Sequence, residues 1–174
     1  MTSAIDRARK IALMAFDVDG ILTDGTLFVG AGGEEFKAFN SLDGHGMKML
    51  AENGVAIAII TGRNSASVAA RARELGITHL FQGVQDKLQV CKALLLKTGL
   101  QQDQFGYMGD DLPDLALLSR CGFAATVPQA PEAVKHASHF ISQRDAGHGA
   151  AREVCDFILS AQGKLYSAIE AYRG

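Results

Sequence analysis

The 174-residue sequence contains no apolar run of the length that a membrane-spanning helix needs. Its longest strongly apolar stretch, VAIAII at Val55–Ile60, falls far short of the roughly 20 residues required. A secretory leader is not in evidence, because the N-terminal MTSAIDRARK puts charges where the apolar segment of a signal would lie. An excess of one charge is lacking too: 17 Lys and Arg face 19 Asp and Glu, for a formal net charge of −2 and no basic run. That excludes the electrostatic footprint of a protein that grips a phosphate backbone, so no nucleic-acid partner is expected. The three cysteines, Cys91, Cys121 and Cys155, lie far apart with no C-x-x-C pair, which argues against both a disulfide framework and a zinc knuckle. Together with the missing leader they point to a reducing cytoplasm. Proline is scarce at three, but glycine is plentiful at 19, about 11% against a usual ~7%. With so little proline, disorder is not the explanation; such glycines mark tight turns and places where backbone approaches a ligand.

The length fits one domain spanning residues 1–174. Apolar runs of strand length, at Ile11–Phe16, Val55–Ile60, His79–Phe81, Phe105–Met108, Phe123–Val127 and His139–Ile141, alternate with segments of helical period. The helical patterns lie near Asp43–Asn53, Ser65–Leu75, Lys87–Lys97, Pro113–Arg120, Pro131–His136 and Ala150–Gln162. Because the strands are continuous apolar runs and not alternating ones, a parallel sheet buried on both faces is predicted: a doubly wound, Rossmann-like α/β layout. Residues 26–40, TLFVGAGGEEFKAFN, break this rhythm and read as a β-hairpin around Gly30–Gly33, inserted after the first core strand. Residues 165–174 are weakly patterned and read as a C-terminal tail.

In an open parallel sheet ligands bind beyond the carboxyl ends of the strands, where loops diverge and helix N-termini aim N–H groups into the gap. Asp17-Val18-Asp19-Gly20 follows the first strand and Thr61-Gly62-Arg63 the second. Gln82-Gly83 follows the third, with Lys87 opening the next helix, and Gly109-Asp110-Asp111-Leu112-Pro113-Asp114 follows the fourth. Two residues apart on an extended strand end, Asp17 and Asp19 would present both carboxylates to one side. Asp110, Asp111 and Asp114 bring the acids to five, and so many close carboxylates repel unless a cation compensates them. Oxygen ligands with few His or Cys favour a hard metal, Mg2+ being the leading choice. Lys87 adds positive charge and Thr61 a hydroxyl, both suited to a phosphate. Each piece alone also has a plain structural reading: the D-x-D as a turn or helix cap, and the later acids as an N-cap with first-turn charges. The functional reading rests on all of them falling, in order, at strand ends.

These segments resemble the motifs of the haloacid-dehalogenase superfamily of phosphatases: DVDGILTDG (17–25) the first, TGR (61–63) the second, Lys87 the third and GDDLPD (109–114) the fourth. EEFKAFNSLDGHGMK, ITHLFQGVQDKL (77–88) and HGAAREVCDFILSAQGKL (148–165) narrow the resemblance to the branch that acts on phosphorylated sugar acids. It implies that Asp17 is the nucleophile, forming an aspartyl-phosphate, and that Asp19 is the general acid and base that separates phosphatases and mutases from members lacking it. It implies Mg2+ held by Asp17, the main-chain carbonyl of Asp19 and Asp110, with Asp111 and Asp114 orienting the ligands and waters behind them. Thr61 and the Gly62 N–H would hold phosphate oxygens, and Lys87 would bridge Asp17 and phosphate. The implied reaction is hydrolysis of 3-deoxy-D-manno-octulosonate 8-phosphate, a step toward the inner sugar of bacterial lipopolysaccharide. A nine-carbon sialic-acid-type sugar 9-phosphate, or a catalytically silent assembly module, is the alternative.

The intervals between the motifs leave no room for a cap domain. Similar phosphatases close their sites by assembling, usually as homotetramers, through the hairpins. Leu27, Phe28, Val29, Phe36 and Phe39 fit such a contact, or else fold back on their own core. Arg63 is the candidate for gripping a substrate carboxylate as a bidentate fork, with Lys37 and Lys48 near the mouth. Gly147-His148-Gly149 and Arg152 read as a rim loop or a helix start, and His136 and His139 as surface residues.

Overall fold

A computed structural model gives the structure of the protein, and it describes residues 2–173. The chain begins with a short helix, α1 (Ala4–Ala8), capped by the Ser3 hydroxyl. It then enters β1 (Leu13–Phe16), whose four residues are fully buried. The hairpin follows as β2 (Phe28–Val29) and β3 (Glu35–Phe36), paired antiparallel and separate from the main sheet. After it come α2 (Ser41–Glu52), β4 (Ala56–Ile60), α3 (Ala66–Glu74), β5 (His79–Phe81) and α4 (Lys87–Thr98). The remainder is β6 (Phe105–Met108), α5 (Leu115–Leu118), β7 (Phe123–Thr126), α6 (Glu132–Ala137), β8 (Phe140–Ile141), α7 (Ala150–Ala161) and α8 (Leu165–Glu170). Among the described residues no helix is long and apolar enough to cross a membrane.

The six main strands are all parallel, in the order β5-β4-β1-β6-β7-β8. This is the α/β, Rossmann-like layout expected, with the hairpin inserted and, among the described residues, no cap. Phe16, Ile59, Tyr107 and Phe123, buried in four of these strands, hold the layers together, each such side chain contributing roughly 1.5–3 kcal/mol. The order matters for function because the chain runs outward from β1 through β4 to β5, then returns and runs outward the other way from β6. Above the β1–β6 pair the flanking connections therefore diverge and leave a crevice. Phe16 pairs with Met108 on one side and Ile59 on the other, so the segments after β1, β4 and β6 leave the sheet side by side.

Three elements differ from the sequence reading. Residues 165–174 are not an unpatterned tail throughout, since α8 forms there; two turns are too short to display a helical period. Pro113–Arg120 divides into a 3-10 turn (Leu112–Asp114) and the single-turn α5. His139 is not a free surface residue: its Nδ1 accepts the Ala124 N–H at 2.8 Å, and burial holds its imidazole pKa below the usual value. His136 is exposed, as expected.

Candidate active site

Asp17 stands where β1 ends. Its N–H donates to the Met108 carbonyl at 2.9 Å, so the sheet ladder itself places it next to Gly109 and Asp110. Its Oδ1 accepts the Val18 N–H at 2.7 Å, and its Oδ2 accepts from Lys87 Nζ at 2.6 Å. Lys87 is the first residue of α4, where the helix dipole disfavours a cation, and it is buried, which disfavours one further. Two carboxylates offset both costs: Asp17, and Asp114 at 2.6 Å. Lys87 also donates to the Tyr107 hydroxyl at 3.0 Å, which in turn donates to Asp114 Oδ1 at 2.7 Å. Asp114 Oδ2 accepts the N–H groups of Asp110 and Asp111 at 3.0 and 3.2 Å. Asp114 is thus fully occupied in shaping the 109–114 loop and anchoring Lys87.

Asp110 differs: among the described residues its carboxylate has no ion pair within 4.0 Å and accepts no hydrogen bond. Burial, then the negative charges of Asp17 and Asp114, push its carboxyl up to about 7. Burial also raises Asp17, to about 6, against the lowering by Lys87. Burial disfavours the Lys87 ammonium, but Asp17 and Asp114 outweigh it and hold the group above its usual pKa. One oxygen from each of Asp17, Asp110 and Asp114 lies within 4.8 Å of the others. The donor set is all oxygen, its charge is undercompensated, and one acid is partnerless, which fits a hard divalent cation between Asp17 and Asp110. Space beside Asp110 is secured by Gly20 at φ 83°, where a Cβ would lie 2.1 Å from Asp110 Oδ2.

The residues of the four motifs line one cavity of about 530 Å³: Asp17, Asp19, Thr61, Gly62, Arg63, Lys87, Asp110, Asp111 and Asp114. Their surroundings differ more than the motifs suggest. The chain turns after Asp17, at Val18, whose carbonyl accepts the N–H groups of Ile21, Leu22 and Thr23, so Asp17 and Asp19 share the cavity without sharing partners. Asp19 faces the hairpin, where Lys37 pairs with it and with Glu35, the latter at 2.6 Å. Arg63 is half exposed and pairs with Glu35 at 3.1 Å, with its Nε 3.9 Å from Asp19. Thr61 is buried, its N–H tied to the Phe81 carbonyl at 2.9 Å. Asp111 points outward and caps the next turn through the Leu112 N–H at 2.7 Å. Lys48 is exposed on α2.

Two participants were not read from the sequence as such. Tyr107 sits in the apolar run of β6 and looks like core; its one signal is a hydroxyl on a strand that ends at the acids. Lys37 was placed near the mouth as a sugar-acid contact, whereas its side chain turns inward onto Asp19. Of the hairpin apolar residues, Phe39 packs against the core, and Leu27, Phe28, Val29 and Phe36 are exposed.

The haloacid dehalogenase-like hydrolase family profile matches residues 80–154, the stretch from β5 into α7 that carries Lys87 and the 109–114 loop. The 3-deoxy-D-manno-octulosonate 8-phosphate phosphatase KdsC of Yersinia pestis is 43% identical over 164 residues, covering 94% of this chain and 88% of that one. The chain belongs to the haloacid dehalogenase-like hydrolases, in the 3-deoxy-D-manno-octulosonate 8-phosphate phosphatase family. Its structure is similar to that of the phosphatase of this name from Moraxella catarrhalis, solved with a magnesium ion, a phosphate ion and Kdo. There the TM-score is 0.95 at 43% identity, covering 97% of each chain. The cobalt-bound family member from Haemophilus influenzae superimposes with a TM-score of 0.91 at 36% identity, covering 97% of this chain and 99% of that one. Relatives thus hold divalent metals on the same fold, and the carboxylate cluster here is of the type that binds one.

Proposed function

We propose that the protein hydrolyses 3-deoxy-D-manno-octulosonate 8-phosphate to the free sugar acid and inorganic phosphate, with Asp17 as nucleophile. The observation that carries this reading is the Asp17 carboxylate, gripped by Lys87 at 2.6 Å beside the partnerless Asp110, in a chain 43% identical to a phosphatase of that substrate. Mg2+ would be held by Asp17, the main-chain carbonyl of Asp19 and Asp110; when bound, it lowers the repulsion between carboxylate and phosphate and stabilises charge on the transferring group. Thr61 and the Gly62 N–H receive phosphate oxygens, and the Lys87 ammonium aligns Asp17 and phosphate for in-line attack. A carboxylate oxygen of Asp17 bonds to phosphorus as the P–O bond to the sugar breaks, and Asp19 gives a proton to the departing alkoxide. Asp19 then takes a proton from the water that attacks the aspartyl-phosphate, releasing phosphate and restoring Asp17. Asp111 and Asp114 act behind these groups, Asp114 by holding Lys87 and the 109–114 loop. Arg63, on the rim, is the group we assign to the substrate carboxylate.

The substrate-sized cavity opens to solvent without a cap. A homotetramer in which neighbours cover it through the exposed faces of the hairpins is part of this reading, as is a cytoplasmic setting.

The test measures phosphate release with Mg2+ from the eight-carbon 8-phosphate and from a nine-carbon sialic-acid-type 9-phosphate. We expect kcat/KM to favour the eight-carbon ester by about 100-fold, the scale on which a pocket discriminates a small difference in substrate size. Similar values would overturn the substrate assignment, and no turnover of either ester would favour a silent module. Asp17→Asn should lower turnover by roughly four orders of magnitude or more, as removal of a nucleophile does, with the circular dichroism spectrum and melting temperature retained. Near-normal activity would refute the nucleophile.

A further inference from the structure

The two acids of the D-x-D segment are held by different lysines from different parts of the fold. Asp17 belongs to the core: its partners are the Val18 N–H and Lys87 of α4. Asp19 accepts no hydrogen bond from the sheet or from the helices among the described residues. One of its oxygens is taken by Lys37, and the other lies 3.9 Å from Arg63 Nε. Lys37 follows β3 directly, and its side chain is 1% exposed although the hairpin that carries it is largely open to solvent. An ammonium so desolvated is sustained only by its counter-charges, Asp19 and, at 2.6 Å, Glu35. Glu35 is tied in turn to Arg63 at 3.1 Å and, through its carbonyl, to the Ser67 hydroxyl at 3.3 Å. A short chain of contacts thus runs from the α3 side of the cavity across the hairpin to Asp19. By contrast, the 47% exposed Arg63 contributes a weaker, water-screened restraint.

We propose that Lys37 is a positioning residue for proton transfer, holding the Asp19 carboxyl in line with the leaving oxygen, so that the inserted hairpin sets protonation of the leaving group while the core sets attack by Asp17. This rests on the reading of Asp19 as the general acid. Loss of Lys37 frees the Asp19 side chain and leaves Glu35 without its nearest cation. The consequence falls on esters that need a proton at the leaving oxygen and spares those that do not.

The experiment compares kcat/KM, which reports the phosphoryl-transfer step, for two esters without a carboxylate: a primary sugar phosphate and p-nitrophenyl phosphate, whose phenolate leaves with little help. For Lys37→Met we expect a loss of about 100-fold on the sugar phosphate, in the range of general acid catalysis, and under about tenfold on the aryl ester. Lys37→Arg, which keeps a cation on the hairpin, should restore most of the alkyl-ester rate. Lys37→Met combined with Asp19→Asn should be no slower than Asp19→Asn alone, because both act through one group. Equal losses on the two esters, a gain on the alkyl ester, or additive losses in the double variant would overturn the proposal. If Lys37→Met melts below the assay temperature, the same ratio is read from Lys37→Gln, whose amide fits the site without charge. An Asp19→Asn variant without the alkyl-specific loss refutes Asp19 as the acid. An Asp19→Asn variant that shows the loss when Lys37→Met does not refutes only the role of Lys37.

Discussion

Asp17 and Asp110 are raised to about 6 and about 7 mainly because burial penalises their charge, and this carries a stability consequence with a definite sign. In the unfolded chain both titrate near 3.8, so between about pH 4 and pH 7 the folded state binds more protons than the unfolded one. Their stabilising contribution is complete below the unfolded value and is lost as pH rises through 6 to 7. His139, with its lowered value, works in the opposite direction but is one group against two. The metal-free protein is therefore expected to resist urea better at pH 5 than at pH 8, and added Mg2+ should remove most of that difference; a metal-free midpoint that rises toward pH 8 would contradict the buried-acid account. At this scale the motif acids, Thr61, Gly62 and Lys87 were legible because polar residues directly after apolar runs have few places to go but the sheet edge. Lys37 was not, because its target depends on how the hairpin folds over Asp19. Tyr107 was not, because a single hydroxyl inside FGYM is indistinguishable from core.

Between helices, the most telling contact is Asp43 of α2, which is buried and accepts the Gly149 and Arg152 N–H groups at 3.3 and 2.8 Å. It serves as an N-cap supplied by another helix, since Gly149 has no side chain to cap α7. Asp43→Ala should cost about 1–3 kcal/mol by urea unfolding, because buried donors lose their acceptor. Asp43→Asn, which keeps an acceptor oxygen, should cost less than half of that; equal costs would place the effect in charge and not in the cap. Sequence spacing revealed the continuous strands of the sheet and helices of three turns, such as α2, α4 and α7, but not α1 or α8. The HGAARE segment, left open between rim loop and helix start, is both: His148 lines a cavity with Asp110 and Asp111, and Ala150 opens α7, fastened by an acid more than 100 residues away, a pairing that periodicity does not encode.

For the whole molecule, the hairpin leaves Phe28 at 51% and Phe36 at 64% exposure beside an open cavity, with Leu27 and Val29 adjoining them. Contiguous apolar surface on so small an insertion is stable when a neighbour covers it. Sedimentation at micromolar concentration should show an assembly of several subunits. Phe28→Asp with Phe36→Asp should shift it to monomer with little change in the circular dichroism spectrum; a wild-type monomer would remove the assembly from the functional reading. The overall architecture was legible because a buried parallel sheet demands uninterrupted apolar runs, and LMAF, AIAII and FGYM supply them. That same sheet imposes a timetable on synthesis. β1 leaves the ribosome before either of its neighbours exists and waits, greasy on both faces and with every ladder position vacant, until β4 and then β6 are translated. The early nascent chain is therefore the stage most in need of chaperone shelter, and no catalytic centre exists until the 109–114 loop has emerged.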